Sequence, residues 1–194
     1  MNKDNNSITP KDIEGKSYKK VFPKTDIEKH SAQLKSINKE NPFSVIFTWE
    51  ADQFLDITVI SYNFPRVFTI LTGLLSAMGM NISSGDVFTE DPEPATKRGN
   101  RSHRRISYRK IIDRFCGFFE DAPMKTAWEK QFSQRLSSLL ELLKANDFNT
   151  AQRKINQWIA ERLDKRSMSP ADTLSPVEMS MDNSNPNYTL INLI

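Results

Sequence analysis

Between Asp56 and Thr89 the apolar positions change period twice. Ile57, Val59 and Ser61 alternate with Thr58 and Ile60, a β-branched run that predicts a half-buried strand. Tyr62-Asn63-Phe64-Pro65 ends it, because proline lacks a donor N–H and restricts the residue before it; Pro65 itself suits the first turn of a helix. Val67, Ile70, Leu71, Leu74, Leu75 and Met78 then fall on one stripe of an amphipathic helix, and Gly79 supplies a left-handed stop. Residues 82–89 return as a second strand.

The same reading extends outward. Thr25 and Glu28 have capping-box spacing, and Ile27, His30, Leu34 and Ile37 share a face, which predicts a helix over 26–37. Phe43, Val45, Phe47 and Trp49 alternate as an extra strand that Glu50 to Gln53 turns back into the Asp56 strand. A central strand begins near Tyr108, with Ile111, Phe115 and Phe119 on one face and Ile112, Cys116 and Phe118 assigned to the other. Trp128, Phe132, Leu136, Leu139, Leu140 and Leu143 mark a second amphipathic helix; Asn149 caps a third containing Ile155, Trp158, Ile159 and Leu163. After a polar linker, Val177, Met179 and Met181 alternate as a fourth strand, and 188–194 opens another. This order, β-α-β-β-α-(α)-β, is that of an α+β, ferredoxin-like βαββαβ fold with an N-terminal extension and one additional helix.

The succession strand, Asn63-Phe64-Pro65-Arg66, apolar helix, Gly79-Met80-Asn81-Ile82, strand resembles the first half of an ACT domain. With Phe22-Pro23 and the segment 25–30 before it, and 176–194 after it, the order is similar to the tandem ACT region of bacterial PII uridylyltransferase-like proteins. The resemblance divides the chain into a flexible leader (1–20), a helix and strand extension (21–55), an ACT-like module (56–182) with a basic loop at 90–107 and an extra helix at about 150–164, and the start of a truncated second module (183–194). It implies a non-catalytic regulatory module of nitrogen signalling that senses an amino acid such as glutamine between paired modules. The partners it implies are another ACT module or a second copy of the chain, and a PII-like protein reached through a longer parent. Its ligand site maps onto Asn63, Phe64, Pro65, Arg66 and Val67, with Asn81 and Ser83 from the opposing strand start. Free N–H groups at a helix N-terminus suit a carboxylate there. Related proteins usually read Asp-Arg-Pro-Gly where this chain has Asn63-Phe64-Pro65-Arg66, so an acid and a glycine are lost and Arg66 is available to clamp a carboxylate or to fill the site. In the second case the module is a pairing scaffold. The family's Gly-Ser with paired aspartates and its His-Asp signature do not occur, so no catalytic residue is assigned.

Composition narrows this. A chain of 194 residues with 38% hydrophobic content can bury one good core. It has no apolar run of spanning length and no signal-type N-terminus, which leads to the expectation of a cytoplasmic protein without a membrane partner. Cys116 is the single cysteine; its apolar flanks suit a packed thiol, and no metal or cofactor is assigned. His30 reads as a partly packed surface histidine, and Asp113, Glu120 and Asp121 as strand-surface and turn acids. Seven basic residues and no acid lie between Ala95 and Ile112, so the net charge of +3 would be −4 without them. Lys97, Arg98, Arg101, Arg104 and Arg105 in that loop form the candidate polyanion site, with strong salt dependence expected. No aromatic interleaves these five and no DNA-reading motif accompanies them, which sets nucleic acid behind a solvated loop or an acidic partner.

Overall fold

A computed structural model describes residues 18–89, 109–165, 179–182 and 190–193. Its elements are α1 (Tyr18–Val21), α2 (Lys24–Ser36), β1 (Phe43–Trp49), β2 (Phe54–Tyr62), α3 (Val67–Ala77), β3 (Asn81–Thr89), β4 (Lys110–Phe118), α4 (Lys125–Lys144), α5 (Phe148–Lys165), β5 (Met179–Asp182) and β6 (Leu190–Leu193). The architecture is α+β, with a four-stranded antiparallel sheet in the order β1-β2-β4-β3.

That order corrects the expected role of the C-terminal strands. The segment assigned as the module's closing strand, β5, pairs with β6 in a two-stranded antiparallel ribbon, Met179 opposite Leu193, and the place beside β2 is held by β1. The physical reason is local: the Glu50 N–H donates to Phe54 O at 3.1 Å, closing a short hairpin that brings β1 to β2 with little loop entropy to overcome.

The described residues fall into two compact units. In the larger one (45–59, 64–87 and 113 onward), the α3 stripe is buried as the periodicity predicts, from Val67 to Met78, and so are Trp128, Phe132, Leu136, Leu139, Leu140 and Leu143 of α4. Ile57 and Val59 of β2 and Phe115 of β4 are fully buried with them. Phe47 and Trp49 meet Trp128 edge-on, and Trp49 Nε1 donates to Glu129 at 2.7 Å. α3 closes in a Schellman motif: the Met80 N–H reaches Leu75 O, the Gly79 N–H reaches Ser76 O, and Gly79 takes φ +90°. α4 ends the same way at Asn146, φ 58°. The next residue, Asp147, caps α5 by accepting the Thr150 N–H at 3.1 Å, so the cap is Asp147 and Asn149 lies inside the helix.

In the smaller unit (up to 44, 60–63 and 88–112), Tyr18, Phe22, Leu34, Ile37, Ile60, Phe88 and Ile112 form the core. His30 belongs to it. It is 1% exposed, its Nδ1 lies 2.7 Å from the Tyr18 hydroxyl, and the Phe22 ring meets it edge-on, so the surface reading of this histidine is corrected. Lys110 is buried too; its ammonium donates to Leu34 O and, at 3.2 Å, to Ile37 O, closing the end of α2. It is therefore not part of a solvent-facing basic patch. α2 begins one residue before Thr25 and has no side-chain cap; Pro23 O accepts the first amides instead of a capping box.

Candidate functional site

The candidate loop residues are placed separately by the fold. Asn63 is exposed in the smaller unit, and its N–H donates to Arg109 O at 2.7 Å. In the larger unit Phe64 and Val67 are buried and Pro65 is exposed. Arg66 stands just before α3 in the left-handed region, φ 65° and ψ 15°, with its guanidinium 4.1 Å above the Phe148 ring. Glycine adopts this conformation freely, and here an arginine occupies it. Asn81 and Ser83 are exposed on β3, which starts beyond the other end of α3. An eleven-residue helix separates Asn81 from the loop, about 16 Å along its axis. The five basic candidates Lys97, Arg98, Arg101, Arg104 and Arg105 lie outside the described residues.

Near the C-terminal end of α3 lies a cavity of about 370 Å³, large enough for a small metabolite. Its apolar lining comes from Ala77, Met78, Phe119, Pro123 and Trp158, and its charged lining from Glu120 and Asp121 on the β4–α4 turn, Arg135 on α4, and Glu161 and Arg162 on α5. Glycine is favoured at Gly79 by its positive φ, and a methyl there would also overlap the Arg162 guanidinium, the end of a flexible side chain. That guanidinium therefore rests against the backbone at the negative end of the α3 dipole. Arg135 lies 4.5 Å over the Trp158 ring; burial pulls its pKa below the ordinary value, with the Glu161 charge acting the other way. Trp128 Nε1 donates to Met78 O at 3.0 Å and fixes the backbone beside the cavity. Two guanidiniums and three carboxylates thus surround an aromatic and thioether surface.

Two other groups differ from their sequence reading. Asp113 is fully buried, and neither carboxylate oxygen has a hydrogen-bond partner among the described residues; burial pushes its pKa up to about 8. It is not a strand-surface acid. Glu120 and Asp121 are exposed turn residues as expected, but they line the cavity. Cys116 is half-buried, and burial, followed by the Asp56 charge, raises its thiol pKa, which does not favour a nucleophile. Nearby, Arg114 donates to Asp56 from Nε at 2.9 Å and from a terminal nitrogen at 2.5 Å, with Asp86 at 3.9 Å.

The cavity was not evident in the sequence because its lining comes from four separated segments. The available signal was Trp158 followed by Glu161 and Arg162 near the end of an amphipathic helix, one turn apart and therefore on one side. Comparison with protein-family models and with curated proteins finds no match to this chain.

Proposed function

We propose that this chain is a non-catalytic, effector-sensing regulatory module, ACT-like in the order of its central elements, and that the effector is a small zwitterion of amino-acid type. The observation that carries this reading is the cavity beside Gly79. A simple anion would face three carboxylates there and a simple cation two guanidiniums, whereas a molecule bearing both charges has partners for each and lays its body on Trp158 and Met78. In this reading the effector site lies at the C-terminal end of α3 and not at the 63–67 loop. A PII uridylyltransferase-like parent and a cytoplasmic setting go with the reading; among the described residues, no helix is long and apolar enough to cross a membrane.

The test is calorimetric titration of the chain with the amino acids, glutamine first, repeated with Arg162→Ala and with Arg66→Ala. Binding lost in Arg162→Ala and kept in Arg66→Ala supports the cavity. Binding lost only in Arg66→Ala returns the site to the loop, and no heat with any amino acid refutes the reading.

A second reading, pairing with another copy, is favoured by Phe54 and Phe118, which are 52% and 39% exposed with ring centroids 6.3 Å apart. Sedimentation of the wild-type chain against Phe54→Ser decides it: a dimer that dissociates in the variant supports pairing, and a monomeric wild type excludes it.

A further inference from the structure

Three of the contacts that join α3 and its flanks to α5 fall in step. Arg66 meets Phe148, Gly73 meets Ile155, and Gly79 meets Arg162, so the sequence offset is 82, 82 and then 83. A constant offset means that the two helices run in the same direction, side by side. On α5 the three residues are seven apart, which is two turns, so one stripe of α5 follows α3 throughout. The approach is close in the middle: a methyl on Gly73 would lie 3.0 Å from Ile155 Cγ2, and Ile155 is 1% exposed. The ends of the pair differ in kind. One is the turn in which a non-glycine residue holds a left-handed conformation with its side chain stacked on α5. The other is the cavity, which α5 lines with Trp158, Glu161 and Arg162.

We propose that α5 couples these two ends: the position of its last turns, set at the cavity, biases whether Arg66 stays left-handed and stacked on Phe148 or is released. The two states are therefore a docked and an undocked Arg66 turn, and the element that both ends bias is α5 itself. From Phe148 to Arg162 the helix spans about 21 Å, so no direct contact between the ends is involved. Closely packed helices shift as units and not by continuous deformation, which makes a displacement at Arg162 felt at Phe148. As a regulatory route this rests on the cavity being the effector site, but the coupling itself requires no ligand.

The experiment is amide hydrogen exchange on the whole chain, without added ligand, comparing wild type with Arg162→Ala. The coupling predicts about fivefold faster exchange at Val67 and Ile70, whose amides donate to Phe64 O and Arg66 O, with Ile57 and Phe115 in the sheet unchanged. Faster exchange confined to residues 158–164 would overturn it. If the sheet amides also speed up, the fold has loosened generally and Arg162→Lys replaces the alanine variant. Faster exchange at Val67 and Ile70 in that variant, with a protected sheet, supports the coupling; unchanged exchange there refutes it. Because no effector is present, this result stands or falls separately from the titration.

Discussion

Arg66 and Asp113 each occupy a place their chemistry disfavours. Arg66 holds φ 65°, a conformation costing an L-residue roughly 1–2 kcal/mol, while its stacking on Phe148 at 4.1 Å returns about 0.5–1 kcal/mol at an exposed site. Arg66→Gly removes both terms and Arg66→Ala only the favourable one. In urea denaturation, Arg66→Gly should therefore be more stable than Arg66→Ala by about 1 kcal/mol. Equal midpoints would mean the left-handed turn is not strained. Asp113 acts through pH. Its carboxyl is raised to about 8 by burial, so the folded state binds a proton that the unfolded state has already lost above about pH 4. Stability should fall as pH rises from about 4 to about 8, by up to about 1.4 kcal/mol per unit, and level off above. Asp113→Asn should flatten that slope; a wild type equally stable at pH 5 and pH 7.5 would contradict the assignment.

At the scale of elements, the helix stripes were legible because a 3.6-residue period is written directly in the chain. Every apolar position named for α3 and α4 is buried, and the Gly79 stop closes a Schellman motif. Caps were less legible, since several residues near a helix start can serve. Asp147 caps α5 where Asn149 was the candidate, and Pro23 precedes α2 where Thr25 and Glu28 had the right spacing. The burial of His30 and Lys110 was not legible, because their partners Tyr18 and Leu34 lie 12 and 76 residues away. The α3–α5 seam makes its own prediction. Gly79→Ala must place a side chain at φ +90° and displace Arg162, so thermal unfolding should show a loss of at least about 1–2 kcal/mol. A variant as stable as wild type would mean that this turn is not held at a positive φ.

For the whole molecule, the sequence supports an α+β sheet-and-helix fold, and the structure has one; the hairpin that brings β1 to β2 was legible in Glu50 to Gln53, and the place of β5 was not. β1 and β5 both alternate as strands, and it is β1 that pairs with β2 while β5 pairs with β6. The site was less legible still. The loop from Asn63 to Val67 was singled out by resemblance, whereas the cavity gathers residues 77–79, 119–123, 131–135 and 158–162 through tertiary packing. The most direct measurement of the central claim is therefore site-resolved: amide and indole chemical shifts of the ¹⁵N-labelled chain during titration with glutamine and then the other amino acids. An effector bound in the cavity shifts Gly79, the Trp158 indole and Arg162 saturably, with no shift beginning at Asn81 or Ser83. Shifts confined to residues 63–67, or no shift with any amino acid, would contradict that claim.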